Sequence, residues 1–213
     1  MTKITIGVLA LQGAFIEHQQ FVESLGCNSK QVKLIGDLDG IDGLILPGGE
    51  STAIINIAER WNLVTALKEY IKSGRPVWGT CAGIILLADR IKNGKIGGQT
   101  TLGGLNVEVT RNWFGSQIES TEMLLNAPII EEKHENIGYD GVFIRAPAIT
   151  DVGDGVDIIS TVNAKYQGKG NIVEVAVAVK QGNILATSFH PELTNDKRWH
   201  QYFINNVKSY KKN

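Results

Sequence analysis

Cys81 is the first residue in the chain whose setting suggests a reaction. It lies in Gly79-Thr80-Cys81-Ala82-Gly83, after Pro76-Val77-Trp78 and before the apolar stretch Ile84 to Ala88. A Gly-x-nucleophile-x-Gly sequence between a strand and a helix is the nucleophile-elbow pattern, here with sulfur in place of the serine oxygen. Such a turn crowds its neighbours, so small residues are needed on each side, and the nucleophile is left exposed at the carboxyl end of the sheet. The N–H groups and positive dipole end of the following helix favour thiolate. The N–H of Ala82 is then placed to donate to an oxyanion. A second segment, Ser188-Phe189-His190-Pro191-Glu192, follows another apolar run. In an extended chain residues two apart point to the same side, and Pro191 keeps the stretch out of a helix interior. His190 and Glu192 are therefore expected to face one site. An imidazole held by a carboxylate is the base that an activated thiol needs: it takes the thiol proton and later delivers it to a departing amine. A third segment, Pro47-Gly48-Gly49-Glu50-Ser51, closes a further strand. Its paired glycines let the backbone approach a ligand closely, and one of its N–H groups is a candidate second oxyanion donor. It lacks the Gly-Lys-Ser/Thr ending of a phosphate loop.

Each segment alone has a plainer reading. Most cysteines are small buried hydrophobes. A His-Pro-Glu can finish a strand and cap a turn, and Gly48-Gly49 can be a tight turn with Ser51 as the N-cap of the next helix. What sets the three apart is that all fall at the carboxyl ends of predicted strands, where open α/β sheets build their sites.

The elements that must position them are legible in the first half of the chain. Apolar runs at Ile4 to Leu9, Val32 to Ile35, Gly43 to Leu46 and Pro76 to Trp78 read as strands. Between them, Phe15, Phe21, Val22 and Leu25, then Ile54, Ile55, Ala58 and Trp61, then Leu63, Leu67, Tyr70 and Ile71, recur at helical spacing. Gly26 and Gly74 mark helix ends. Strands alternating with helices call for a parallel sheet covered on both faces. The second half reads as shorter strands at Val107 to Val109, Val142 to Arg145, Val156 to Val162, Ile172 to Val179 and Ile184 to Phe189, with a hairpin at Gln181-Gly182-Asn183. A last helix carries Trp199, Phe203, Val207 and Tyr210. With no Pro/Ser-rich or charged linker between the halves, the expectation is one domain over residues 1–213.

Composition excludes several classes. The 21 Lys and Arg balance 22 Asp and Glu, so neither a nucleic-acid stripe nor a polyacidic tail is present. Two distant cysteines, Cys27 and Cys81, are too few for a disulfide scaffold and suit a reducing compartment. The chain starts directly on a short apolar run without a basic leader, and the expected location is the cytoplasm. No His/Cys/Asp spacing resembles a metal site. His18 on the first helix is expected at the surface, His134 in a polar loop and His200 on the last helix, none with a chemical role. Cys27 is expected to be structural.

Taken together, the motifs resemble the triad (class I) glutamine amidotransferases, in which a Gly-x-Cys-x-Gly elbow pairs with a His-x-Glu. More narrowly the chain is similar to the glutaminase subunits of pyridoxal phosphate synthases. The likeness runs through Gly7 to Gly13, Leu46 to Thr52, Trp78 to Gly83, Arg111-Asn112, Phe114-Gly115-Ser116-Gln117, Phe143 to Pro147 and Ser188 to Leu193. Two stretches, about Ala127 to Tyr139 and Asn163 to Asn171, look longer than in compact bacterial members. The resemblance implies a three-layer α/β/α, flavodoxin-like fold with an open, mostly parallel sheet. It implies Cys81 as nucleophile, His190 as base then acid and Glu192 as orienter, with oxyanion donors from the backbone of Gly49 and Ala82. It also implies glutamine contacts from Gly49, Glu50, Ser51, Arg111, Ile144 and Arg145. It implies ammonia passed to a synthase subunit within a large hetero-oligomer, with pyridoxal 5'-phosphate as the product of that complex and no cofactor or metal in this chain. Two other readings stay open at this point: an autonomous γ-glutamyl hydrolase or peptidase on the same triad, and a non-catalytic docking subunit.

Overall fold

The computed structural model describes residues 3–92, 98–115, 120–131 and 138–212. Ser116 and Gln117 of the quoted motif, and His134, lie outside the described residues. The first half runs β1 (Thr5–Leu9), α1 (Phe15–Ser24), β2 (Asn28–Val32), β3 (Gly43–Leu46), α2 (Ser51–Arg60), α3 (Leu63–Lys72), β4 (Val77–Thr80) and α4 (Ala82–Leu87). The second half runs β5 (Ala88–Lys92), β6 (Leu105–Thr110), β7 (Thr121–Leu125), α5 (Pro128–Glu131), β8 (Tyr139–Phe143), β9 (Ala148–Val152), β10 (Asp157–Tyr166), β11 (Lys169–Gln181), β12 (Ile184–Thr187) and α6 (Arg198–Tyr210).

The main sheet has the order β2-β1-β3-β4-β12-β11-β9-β6-β5, with β10 pairing β11 beside this path. From β2 to β12 every pairing is parallel. β11 and β9 then turn the sheet antiparallel. β7 and β8 form a separate two-stranded antiparallel sheet.

Alternation along the parallel strands divides the core into two layers. Leu44, Leu46 and Val77 pack with Ile54, Leu67 and Ile84 of α2, α3 and α4 on one face. Ile6, Val8, Ile45 and Trp78 pack with Val22 of α1 and Trp199, Phe203 and Val207 of α6 on the other. This is the expected three-layer α/β/α arrangement. Trp78 and Trp199 are fully buried, and such large side chains each contribute roughly 1.5–3 kcal/mol or more by leaving water.

The second strand departs from expectation. It is Asn28–Val32, and the predicted Ile35 falls in a one-turn 3-10 helix over Ile35–Leu38. β2 is an edge strand, and polar residues on an edge mask the strand pattern while protecting it from stray pairing. Asp37 Oδ2 accepts from the N–H groups of Lys33 and Leu34 at 3.0 and 2.8 Å, which curls the apolar residues out of the sheet. The insertion-like stretch 163–171 simply lengthens the β10–β11 hairpin. Gln167 and Gly168 at its tip both have positive φ, 49° and 70°, as a two-residue type I′ turn requires.

The elbow depends on small residues on both sides, as predicted. A Cβ on Gly83 would sit 2.1 Å from the carbonyl oxygen of Leu46, and one on Gly79 would sit 2.8 Å from Gly83 backbone atoms. α4 therefore packs directly on β3 and β4 through bare backbone. Gly83→Ala is expected to destabilise the fold by roughly 1–3 kcal/mol, as overpacking of a rigid contact does. A urea titration reads this as a lower midpoint at unchanged slope; a midpoint equal to wild type would disprove the close-packing account.

Candidate active site

Turns at the carboxyl ends of β3, β4 and β12 converge on a cleft of about 290 Å³. Cys81, Ala82 and His190 line it, with Gly49, Glu50 and Ser51 from the β3 turn and Arg111, Ile144 and Arg145 from the loops after β6 and β8. Glu192 lies behind His190, 5% exposed. All the residues selected from the sequence thus gather at one place.

Cys81 occupies the turn between β4 and α4 with φ 47° and ψ −103°. A non-glycine residue in such a conformation costs on the order of 1–3 kcal/mol and persists only where its surroundings over-determine it. Here the Cys81 N–H donates to Thr187 O at 2.8 Å, and the Cys81 carbonyl accepts from Ile84 N–H at 3.2 Å. The sulfur sits 4.0 Å from the carbonyl oxygen of Ile144. α4 has only six residues, so its influence on the sulfur comes from its first-turn N–H groups rather than from a long dipole.

His190 Nδ1 lies 2.8 Å from Glu192 Oε1. Pro191 does not hold this stretch extended, as the sequence suggested. Pro191–Leu193 forms one 3-10 turn, with the Leu193 N–H donating to His190 O. Proline suits the first position of such a turn because its φ is preset and its missing N–H goes unused. The turn, not strand alternation, folds Glu192 back onto the ring of His190. The backbone N–H of His190 donates to Val142 O at 2.8 Å, anchoring its main chain to β8. Burial opposes charging His190, but Cys81 and Glu192 outweigh it and raise its pKa well above the ordinary value. Burial likewise opposes ionising Glu192, and His18 and His190 outweigh it, holding the carboxyl below its usual range.

The β3 turn has a different cap from the one expected. Ser51 is the first residue of α2, and Glu50 is the N-cap, its carboxylate accepting from Thr52 and Ala53 N–H at 3.1 and 2.7 Å. Burial opposes its charge, yet these N–H groups and Arg111 lower its pKa. Arg111 Nη2 reaches Glu50 Oε1 at 3.3 Å, and its Nη1 donates to Gln99 Oε1 at 3.0 Å. The Glu50 side chain is thus committed to the helix end and to Arg111.

Several participants had no sequence-level role. Gln12 lines the cleft, and its Oε1 accepts from Glu50 N–H at 2.7 Å. Its position just past the carboxyl end of β1 was the available signal. A Cβ on Gly49 would meet that same Gln12 oxygen at 2.4 Å and the Gly13 Cα at 3.0 Å, so a side chain there would have to push Gln12 aside. Gln99 comes from a glycine-rich stretch without periodicity. Asn112 also lines the cleft, and the next residue, Trp113, accepts from Gln167 N–H at 2.7 Å and packs edge-on against Tyr166 at 5.1 Å. The tip of the β10–β11 hairpin therefore braces the Arg111–Phe114 loop.

His18 corrects the sequence reading, while His200 lies on the last helix as expected. Neither is at the surface: they are 0% and 1% exposed, and both lie close behind Glu192. Their helices have polar neighbours on the outward side, which hid these positions. Cys27 is buried, as expected for a structural residue.

An open α/β sheet with a thiol at one strand-to-helix turn and an imidazole–carboxylate pair after the adjacent strand belongs to the class of proteins with a cysteine–histidine–glutamate site. Residues 8–209 match the model of the SNO glutamine amidotransferase family. A probable pyridoxal 5'-phosphate synthase subunit PDX2 of Arabidopsis thaliana is 47% identical over 220 residues, covering 96% of this chain and 86% of that protein. A pyridoxal 5'-phosphate synthase subunit PdxT of Herpetosiphon aurantiacus is 43% identical, covering 94% and 99%. A solved structure described as a glutamine amidotransferase superposes with a TM-score of 0.80 at 38% identity, over 95% of this chain and 98% of the other. The chain belongs to the SNO glutamine amidotransferase family.

Two measurements probe the geometry. A Cβ at Gly48 would lie 2.6 Å from His190 Cε1 and 2.9 Å from its Nδ1. Gly48→Ala is therefore expected to displace His190 and remove activity while circular dichroism and the urea midpoint stay close to wild type; retained activity would show that the ring has room to move. The second concerns pH. Burial lowers the pKa of His18, and more strongly that of His200, so both stay neutral in the fold. The unfolded chain takes up protons on both near pH ~6.5. Because the unfolded state then binds more protons, stability falls as pH drops below that value. The urea midpoint should decline from about pH 7 to about pH 5, and His200→Phe should flatten the decline.

Proposed function

We propose that this chain is a glutaminase that hydrolyses L-glutamine to L-glutamate and ammonia and supplies the ammonia to the synthase subunit of a pyridoxal 5'-phosphate synthase. The observation that carries the reading is the Cys81 thiol at the elbow, in one cleft with His190, whose Nδ1 is 2.8 Å from the Glu192 carboxylate. Membership of a glutamine amidotransferase family supplies the substrate class, and the similarity to pyridoxal 5'-phosphate synthase subunits suggests the use of the ammonia.

His190, its Nδ1 proton held by Glu192, takes the proton of the Cys81 thiol at Nε2. The thiolate attacks the side-chain amide carbon of glutamine, and the negative charge gathers on the former carbonyl oxygen. The N–H groups of Gly49 and Ala82 receive that charge, and such donors act most strongly in the transition state. The C–N bond breaks as His190 returns its proton to the departing nitrogen, leaving ammonia and a γ-glutamyl thioester on Cys81. Water, deprotonated by His190, attacks the thioester and releases glutamate, restoring the thiol. Arg111 or Arg145 supplies positive charge for the α-carboxylate, while Glu50, Ser51 and Ile144 shape the cleft around the substrate.

Ammonia released to water is protonated and diluted, so such a chain works docked to its consumer. We read it as a single cytoplasmic domain that decorates a synthase ring in a large hetero-oligomer. Free thiols at Cys27 and Cys81 suit a reducing compartment. No described helix is long and apolar enough to cross a membrane.

Cys81→Ala should abolish glutamate release with the fold kept, and a glutamine-like affinity label should attach to Cys81 and spare Cys27. His190→Asn should lower kcat by ~10²–10⁴-fold, the usual weight of acid–base help. Labelling at Cys27 with activity kept in Cys81→Ala would overturn the assignment. The decisive experiment is glutaminase kinetics across a titration of the synthase subunit. If docking completes the oxyanion site at Gly49, kcat should rise by ~10²–10³, the weight of one donor, with KM changing less. Full activity in the isolated chain, unaltered by a synthase that binds it, would favour an autonomous hydrolase instead.

A further inference from the structure

Behind Glu192 a row of buried polar side chains runs away from the cleft. His18 Nε2 lies 3.4 Å from Glu192 Oε2 and 3.2 Å from Thr80 Oγ1. His18 Nδ1 lies 2.9 Å from His200 Nε2, and His200 Nδ1 has no partner among the described residues. The rings are enclosed by aromatic neighbours. Phe21 stacks on His200 at 4.5 Å, and Trp78 meets His18 and His200 edge-on at 5.8 and 4.9 Å.

The protons in this row can be placed by elimination. Between His18 and His200 one nitrogen must donate and the other accept. If His18 Nδ1 donated, His18 Nε2 would be bare and aim a lone pair at the Glu192 carboxylate. His200 would then carry its proton on Nδ1, a buried donor with nothing to receive it, the costlier kind of orphan. With the opposite assignment every contact agrees in sign. His200 Nε2–H donates to His18 Nδ1, and His18 Nε2–H donates to Thr80 Oγ1 with the unpartnered Glu192 Oε2 only 3.4 Å away. The atoms left without a hydrogen bond in this row, His200 Nδ1 and Glu192 Oε2, are both acceptors.

We propose that His18, its tautomer fixed by His200, is a positioning residue that donates Nε2–H to Glu192 Oε2 and so orients the carboxylate that holds His190. Glu192 is thereby gripped by two imidazoles, one N–H on each oxygen. The donor must be neutral, because a charged His18 would neutralise Glu192 and take from His190 the countercharge it needs when it carries the thiol proton. Burial keeps His18 neutral against the pull of Glu192 and of Glu17 on its own helix, and the facing His190 acts in the same direction as burial. His18 belongs to α1, His200 to α6 and Thr80 to the last position of β4, directly before Cys81. One small group of atoms thus ties two helices of the outer layer to the nucleophile strand and to the base.

The proposal rests on His190 and Glu192 acting as the base pair of a glutaminase, and its test separates the two. Glutamate release is measured for the full chain with saturating synthase subunit. His18→Phe should lower kcat by roughly ten- to a hundredfold, by analogy with the loss when a partner orienting a metal-bound histidine or carboxylate is removed, with KM little changed. His18→Gln, whose amide can still donate to Glu192, should recover much of that loss, which a purely packing role would not give. Independently of turnover, nitrogen-15 NMR of the histidine-labelled chain should show His18 and His200 as neutral Nε2–H tautomers at neutral pH, with neither titrating near pH ~6.5. A His18 Nδ1–H tautomer, a normal His18 titration or unchanged kcat in His18→Phe overturns the proposal. If His18→Phe fails to fold, His18→Gln and the tautomer measurement still decide it. A wild-type chain inert with synthase counts against the glutaminase reading alone, because the NMR result stands without it.

Discussion

The contact between the Gly83 backbone and the Leu46 carbonyl is the constraint on which the site depends. α4 can begin where it does only because it lies on β3 with no side chain between. That approach forces the chain to reverse sharply after β4, and the reversal is what drives Cys81 into its strained backbone conformation. The strain is held by packing on both faces of the sheet and by the parallel bond from Cys81 to Thr187 on β12. β12 in turn delivers His190 one strand away. Nucleophile and base therefore share a single rigid origin, the β4–β12 pairing, and their separation is set by interstrand spacing rather than by loop conformation.

Electrostatics follow from where this origin is buried. Four ionisable groups, Cys81, His190, Glu192 and His18, crowd into a region shielded from solvent. Isolated charges there would be costly, so the arrangement works only because each ring and carboxylate has a complementary neighbour. The opposite shifts of His190, raised, and His18, lowered, are the outcome of one rule in two settings. His190 faces both the carboxylate and the sulfur. His18 meets the carboxylate from a fully enclosed aromatic pocket, where desolvation dominates.

Much of this was written in the sequence. The elbow residues, the His-x-Glu spacing and the Gly48-Gly49 turn were each readable because small residues, proline and strand ends leave local signatures. The buried first-half strands were readable from apolar runs. What escaped had no local signature. β2 reads as polar because it is an edge strand, and Ser51 looked like a cap because the competing carboxylate of Glu50 is a rarer one. His18 and His200 sit 182 residues apart, on helices whose other positions are mixed, so no periodicity could announce that they meet. Gln12 and Gln99 are ordinary amides until the fold brings Gln12 to the backbone of Glu50 and Gln99 to the side chains of Ser51, Thr52 and Arg111. Sequence pattern reports what each segment needs for itself; it is silent on polar groups that find one another only after packing.

The β10–β11 hairpin gives a last lesson in how such a scaffold can vary. Its tip clasps Trp113, the immediate neighbour of the cleft residue Asn112. A surface ribbon, the sort of place where insertions and deletions accumulate freely, is here latched to the wall of the substrate cleft. The β10–β11 pairing already absorbs three register shifts, so its phase is adjustable, but two residues added to each strand would carry the tip about 6–7 Å further on. Any change of length that displaces the tip would separate Gln167 and Tyr166 from Trp113. What constrains length at this edge is the cleft it touches, not its exposure.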